Sequence, residues 1–387
     1  MTDTRKKLLK IEEEMNGKFI NRNEVVRGLV VTLLARGNIV LLGPAGTGKT
    51  DLVQTLARCI NGQYFETILT KMSSPEELFG PYNLKELEEG NYVRNTTNTA
   101  VDSEVAFVDE VFKCNSATLN GLLGLMAQRV FRNGGSAPSP TPTELFVGAS
   151  NELPEGGIDG PLAALWDRFE MRFMVDYLRD KASFNRLLSL SDNEEPKTSI
   201  SIEDIRNARE ELAAIETEGV TNTIISLWDS LNKEGYRVSD RKWRNSLRYM
   251  KANAYLEGRK SLTEDDILLL KDMAWQTTEQ IKPVRKLVLS AVNPDLEMAQ
   301  DLFDAACEIF AELSKFTDDD NENKKNFGTT KSFKVADVHN KLVRTKKIIQ
   351  TTTSEQKKKG KNTSILNGYM NRVNEMLQAV TAMLIGG

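Results

Sequence analysis

Gly43-Pro44-Ala45-Gly46-Thr47-Gly48-Lys49-Thr50 follows the apolar run Asn38–Leu42 and precedes the helical pattern 51–60. It therefore reads as a glycine-rich loop between a buried strand and a helix. The spacing matches G-x-x-x-x-G-K-[ST], in which backbone N–H groups surround phosphates, the lysine reaches the β and γ oxygens, and the hydroxyl ligates Mg²⁺. Glycines allow the tight turn and the close approach of an anion, and the helix N-terminus adds partial positive charge. Residues Gly43, Pro44, Ala45, Gly46, Thr47, Gly48, Lys49, Thr50 and the adjoining Asp51 are thus expected to hold a nucleoside triphosphate, with Thr50 on the metal.

The 387 residues are enough for two or three domains, and 40% apolar with 27% charged residues is ordinary for a globular chain. No run of 18 or more apolar residues occurs, and the stretch after Met1-Thr2-Asp3-Thr4-Arg5-Lys6-Lys7 is amphipathic. No membrane insertion or export is expected, which makes the cytoplasm the expected setting. Cys59, Cys114 and Cys307 are scattered without C-x-x-C spacing and read as small buried hydrophobes. His339 is the single histidine, so chemistry based on a Ser-His-Asp triad, a Cys-His pair or His-ligated zinc is nearly excluded by inventory. Carboxylates, lysine, arginine, hydroxyls and Mg²⁺ remain. The net charge of −4 argues against a dominant nucleic-acid surface. The basic run Lys357-Lys358-Lys359-Gly360-Lys361 reads as a solvated loop between helices.

Outward from the loop, helix 23–36 leads into strand Asn38–Leu42, and a strand near 64–70 follows the helix 51–60. Ser74-Pro75-Glu76-Glu77 is a helix start, with a cap residue, proline in the first turn and acids behind it. Residues 80–93 read as a turn-rich hairpin insertion. Strand 105–108 ends in Asp109-Glu110; helix 116–128 follows, then a Gly/Ser/Pro-rich stretch 131–143, then strand 145–149 ending in Ser150-Asn151. Alternating strands and helices imply a parallel α/β sheet, whose ligands sit at the strands' C-terminal ends. Beyond residue 173 the pattern becomes helical: 201–215, 220–234, 240–258 and 264–282, with caps at Ser201, Ser239 and Thr263, stops at Gly219, Gly235 and Gly258, and Pro283 as terminator. Helices 295–316, 335–350 and 363–384 complete the chain, joined by a polar connector, 317–331. The expected domains are 1–182, 183–285 and 286–387.

Asp109-Glu110, about 60 residues after a phosphate loop, supplies the other half of a triphosphate site. Hydrolysis of a phosphoanhydride needs charge neutralisation and a positioned water; Asp109 suits the metal and Glu110 suits the water. With these residues in place the chain resembles the AAA+ ATPases of the MoxR family, and within it the regulatory ATPase variant A (RavA) group. The resemblance is carried by Gly43–Thr50 (Walker A), Val105–Glu110 (Walker B), Ser74–Pro81, Ala149–Pro154 and Leu165-Trp166-Asp167-Arg168-Phe169. It covers roughly residues 10 to 290.

The resemblance implies an α/β P-loop AAA+ domain followed by an all-helical lid and a C-terminal helical domain. It implies Mg²⁺-dependent ATP hydrolysis in a ring-shaped, usually hexameric homo-oligomer that remodels a protein client, and often a partner with a von Willebrand factor A domain. It also implies sensor 1 at Asn151, an arginine finger at Arg168 acting on a neighbour's γ-phosphate, sensor 2 at Arg241, and base contacts near 18–20. The residues themselves leave rivals open: Arg172 for Arg168, Arg244 for Arg241, and a turn-capping role for Asn151. Lys242 reads as solvated. RavA proteins carry a β-rich insertion between C-terminal helices that engages a lysine decarboxylase; here only 317–331 joins those helices, so that partner does not transfer. A nucleic-acid motor is the alternative, resting on Arg129, Phe131 and Arg132 in one loop and Lys85 and Arg94 in the other, the latter diluted by Glu86, Glu88 and Glu89. A slow nucleotide-gated scaffold is a third reading.

Overall fold

The computed structural model describes residues 3–156, 160–178, 181–190, 196–318, 328–358 and 363–385. The chain forms two compact units, Met1–Arg285 and Lys286–Gly387. In the first, α1 (Asp3–Lys18) and α2 (Asn23–Leu34) precede a parallel five-stranded sheet. Its strands are β1 (Asn38–Leu42), β2 (Tyr64–Ile68), β3 (Val105–Asp109), β4 (Leu145–Ser150) and β5 (Met171–Met174), in the order β2-β3-β4-β1-β5. β1 and β4 are buried throughout, as central strands covered on both faces must be. The register pairs Leu42 with Ser150 and Ile68 with Asp109 at one rim of the sheet. Asn38 pairs with Phe146 at the opposite rim. Everything that bears on the site follows from which rim a residue occupies.

Between the strands lie α3 (Lys49–Cys59), α4 (Pro75–Phe79), α5 (Leu84–Glu88), α6 (Ser116–Gln128) and α7 (Ala163–Arg168). α4 starts at a capping box between Ser74 and Glu77, with proline in its first turn. Three local expectations need correction. Insertion 80–93 is not two strands: its arms meet in one antiparallel bridge, Tyr82 with Arg94, and Asn83 caps the helical turn α5 at the tip. α3 begins two residues early, at Lys49, because Gly48 caps it in the left-handed region at φ 83°. Residues 171–174, which carry no strand signal, form β5, with the apolar alternation broken by a buried arginine.

The helical part comprises α8 (Lys181–Leu188), α9 (Ile202–Ala213), α10 (Thr221–Lys233), α11 (Asp240–Leu256), α12 (Glu264–Ile267) and α13 (Ile281–Val292). Ser201 and Ser239 cap α9 and α11 as their positions predict. The expected helix 264–282 is instead α12 followed by 3₁₀ turns at Leu268–Asp272 and Thr278–Gln280. Pro283 does not end a helix but lies in the first turn of α13, where the missing N–H has no helical acceptor to lose.

α9 is fastened to the rim where β4 begins. Glu144 is buried, and Arg206 at 2.8 Å, Arg209 and Arg36 at 3.5 Å converge on its carboxylate. Arg209 also donates to the carbonyls of Leu33 and Leu34 at the end of α2. Removing one partner of a buried ionic cluster leaves the others uncompensated. Glu144→Ala is expected to lower unfolding free energy by roughly 3–5 kcal/mol, read from the urea midpoint; a loss below about 1 kcal/mol would mean the cluster is screened like a surface pair.

In the second unit, α14 (Pro294–Asp318), α15 (Gly328–Lys358) and α16 (Ser364–Ile385) pack through Ala306, Leu313, Val338, Leu342, Met376 and Val380. Both flanks of the expected connector 317–331 are helical, and residues 319–327 lie outside the described residues. α15 also runs past the expected end at residue 350, taking Lys357 and Lys358 into the helix; Lys359–Lys361 lie outside the described residues. Polar residues at buried positions hide this length from the apolar pattern: Thr345 and Gln356 face inward, and Gln356 donates to Asp295 at 2.7 Å.

Candidate functional site

The loop after β1 is built around Gly43. Its φ is 145°, and a Cβ there would lie 2.1 Å from the Val175 carbonyl, so no larger residue fits without moving the chain that leaves β5. The Gly43 N–H donates to Ser150 O at 3.0 Å and Val175 N–H to Leu42 O at 2.7 Å, tying the loop to both neighbouring strands. Lys49 is buried, and its ammonium donates to Gly43 O at 2.6 Å, Pro44 O at 2.9 Å and Asn151 Oδ1 at 3.2 Å. Burial holds its pKa below the usual lysine value, with Asp109 and Glu110 pulling the other way. Tyr177, a residue the sequence pattern does not single out, donates its hydroxyl to Ala45 O at 2.9 Å. Asp51 is turned toward α1: its carboxylate accepts from Lys18 at 2.9 Å, and Lys18 also reaches Thr55 at 3.0 Å. Lys18, in the stretch expected to approach the base, is thereby anchored on the first turns of α3.

Asp109, Glu110 and Asn151 meet Lys49 at the same rim. Asp109 Oδ1 accepts from the Glu110 N–H at 2.8 Å. Glu110 sits in the left-handed region at φ 52°, uncommon for a non-glycine residue and typical of positions with a constrained task. Its Oε1 accepts from Asn151 Nδ2 at 2.7 Å. Its Oε2 is buried with no hydrogen-bond donor among the described residues, although the Lys113 ammonium lies 3.2 Å away, off the hydrogen-bonding direction. Asn151 therefore bridges the loop lysine and the Glu110 carboxylate, accepting from one and donating to the other. Among the described residues no cluster of three His, Cys, Asp or Glu side chains could hold a metal by itself. The Thr50 hydroxyl and the Asp109 carboxylate offer two oxygens, which fits Mg²⁺, a cation that keeps several waters and shares its sphere with phosphates.

The arginines occupy the other rim. Asn38 opens β1 and donates its side-chain amide to the Arg168 carbonyl at 2.8 Å. The five-residue strand β1 carries the chain from Asn38 to the phosphate loop, a span of about 16 Å at the usual rise. Arg168 itself is half-buried; one terminal nitrogen donates to Ala164 O at 2.7 Å, while Nε has no partner among the described residues. Burial, and then the nearby charge of Arg241, push its guanidinium below its usual pKa. Arg241 is exposed and paired with Asp167. The sequence-predicted residues thus form two groups, Lys49, Asp109, Glu110 and Asn151 at one rim and Arg168 with Arg241 at the other.

The rivals differ in burial. Arg172 is fully buried, stacks on Trp166 at 4.0 Å and donates to the carbonyls of Phe169, Trp166 and Trp275 and to Gln276, so it is a core residue that no second molecule can reach. Arg244 is exposed on α11. Lys242 overturns its solvated reading: it is 1% exposed, with its ammonium 3.2 Å from Phe169 O. The basic residues that favoured nucleic acid are largely spoken for. Arg129 is buried and donates to Asn38 and to the Arg36, Gly37, Leu125 and Met126 carbonyls, and Arg94 stacks on Tyr82 at 4.0 Å while donating to Gly80 O. Among the described residues no helix is long and apolar enough to cross a membrane.

A family model described as the MoxR domain in the MoxR-vWA-beta-propeller ternary systems matches residues 6–216, and one described as an AAA lid domain matches residues 219–288. An uncharacterized protein of Methanocaldococcus jannaschii is 33% identical over 81% of this chain and 83% of its own length. Chaperone MoxR1 of Mycobacterium tuberculosis is 26% identical over 42% of this chain and 43% of its own. The crystal structure of a candidate ATPase from Cytophaga hutchinsonii aligns with a TM-score of 0.59 at 23% identity, covering 75% of this chain and 94% of that one.

Proposed function

We propose that this chain, which belongs to the MoxR family of AAA+ ATPases, hydrolyses Mg²⁺-bound ATP at sites shared between copies of itself and uses the turnover to remodel a protein partner. The observation that carries the shared-site reading is the distance between rims: Arg168 stands about 16 Å of strand from the phosphate loop of its own chain, too far for a side chain to span. A heterologous, head-to-tail contact that closes into a ring would bring one copy's Arg168 to the next copy's Lys49. Arg241, paired to Asp167 beside Arg168, belongs to the same presenting surface, so the sensor-2 role would also act across the interface. The lid would travel with the finger, since Glu144 and its arginines fasten α9 to that rim.

Within the site, Lys49 would donate to β- and γ-phosphate oxygens, with the loop N–H groups around them. Glu110 would accept the proton of the attacking water, and the Asn151 amide that touches its carboxylate would order that water. Thr50 and Asp109 would hold Mg²⁺, which would supply charge neutralisation on the triphosphate. Turnover should therefore vanish with excess EDTA and return with Mg²⁺; turnover unaffected by chelation would overturn the site.

A protein client is supported by the chaperone name of the M. tuberculosis relative and by the engagement within the chain of Arg94 and Arg129, two of the basic residues on which the nucleic-acid alternative rests. The family description, with its vWA component, supports a partner carrying a von Willebrand factor A domain. The finer working description is a hexamer of RavA-like chains in three parts, 1–182, 183–285 and 286–387. In it, residues 319–327 between α14 and α15 are too few for a β-rich insertion.

A further inference from the structure

We propose that Lys242, acting with Asp167, is a positioning residue for Arg168, so that the first turn of lid helix α11 is the mount on which the finger is presented to a neighbouring copy. The inference rests on the shared-site reading above and adds residues to which no role has yet been assigned.

Arg168 is gripped on both flanks by α11 and neighbouring residues. On its N-terminal side, Asp167 Oδ1 accepts from the Ser239 hydroxyl at 2.8 Å and Oδ2 from Arg241. Ser239 is at the same time the cap of α11, accepting from the Lys242 N–H at 3.3 Å. On its C-terminal side, the Lys242 ammonium donates to the Phe169 carbonyl at 3.2 Å. Below it, Asn38 fixes the Arg168 carbonyl itself. Residues 167, 168 and 169 therefore each hold a polar bond to another element, while the Arg168 guanidinium donates to Ala164 O and keeps a buried Nε without a partner among the described residues. A fixed backbone beneath an uncommitted guanidinium is what a trans-acting finger requires, because the entropy of placing it is settled before the neighbour's phosphate arrives.

Burying a lysine is costly unless the position needs its charge or its donors. Burial, and after it the charge of Arg172, holds its pKa well below the usual value; Asp167 and Glu170 favour the charge. Methionine would fill the same volume without the ammonium. If the site were merely core packing, Lys242→Met would be neutral in rate.

The test is ATP turnover and nucleotide affinity for Lys242→Met and Asp167→Asn, each alone and mixed with Lys49→Ala or Arg168→Ala chains. Both variants are expected to lose about 10- to 100-fold in kcat with ATP affinity within about twofold, the pattern of an interaction made only in the transition state. Mixing with Lys49→Ala should restore turnover, because that chain still carries an intact mount. Mixing with Arg168→Ala should restore none, because neither partner then presents a finger. Wild-type kcat in the folded variants, or rescue by Arg168→Ala chains, would overturn the proposal. Should Lys242→Met fail to fold, Asp167→Asn alone decides it. Arg168→Ala at wild-type rate would instead sink the shared-site reading, and so the two failures are distinguishable.

Discussion

Arg168→Ala is expected to lower ATP turnover about a thousandfold and leave ATP affinity within about twofold. The expectation follows from charge and position together. A guanidinium brought to the γ-phosphate offsets charge that spreads over its oxygens in the transition state, and it contributes little to the ground state. Arg168 is half-buried, one terminal nitrogen of its guanidinium donates to Ala164 O, and its carbonyl is pinned by Asn38 at the rim away from its own loop. Loss of affinity in step with rate would place the side chain in a binding role instead. Full turnover in the variant would remove it from the reaction.

Glu110→Gln is expected to bind ATP as the parent does and to hydrolyse it about 10²- to 10⁴-fold more slowly. Glutamine keeps the shape and can still meet Asn151, but it cannot take a proton from water. The αL backbone at Glu110 and the 2.7 Å contact with Asn151 fix the group that would do so. Undiminished single-turnover hydrolysis would strip Glu110 of that role. Because the variant holds ATP without consuming it, the same protein can trap a client: recovery of a protein partner that survives nuclease treatment favours remodelling, and recovery of nucleic acid alone favours the motor.

Much of the sheet was legible because its strands announce themselves. Asn38–Leu42, 105–108 and 145–149 are short apolar runs bounded by polar residues with chemistry to do, and a parallel sheet collects those residues at one rim. Lys49, Asp109, Glu110 and Asn151 were legible for the same reason. β5 was not, since Met171-Arg172-Phe173-Met174 buries an arginine that the sequence marks as a surface group and that only Trp166, Gln276 and three carbonyls of the folded chain can satisfy. Lys242 misleads in the same way. A charged residue reads as solvated until tertiary structure supplies partners 70 residues away, and no local pattern carries that information. The helix expected over 264–282 failed for a different reason: the apolar content from Ile267 to Trp275, broken by Lys271 and Asp272, is compatible with tight 3₁₀ turns that bury it against β5 and α11 as well as with one helix. Which rim the arginines occupy is likewise a property of the fold. The motif names Arg168, but only the Asn38 contact with its backbone carbonyl says that it stands at the rim away from its own phosphate loop.

The claim that the site is divided between copies is tested most directly by mixing Lys49→Ala chains, which cannot bind ATP but keep Arg168, with Arg168→Ala chains, which bind ATP but lack the finger. Each alone should be nearly inactive. In equimolar mixed assemblies about a quarter of the sites pair an intact loop with an intact finger, by random head-to-tail neighbours. Turnover per chain should rise toward that fraction of the parent's rate. A mixture that forms mixed assemblies yet hydrolyses no more ATP than its two components measured apart would contradict the account.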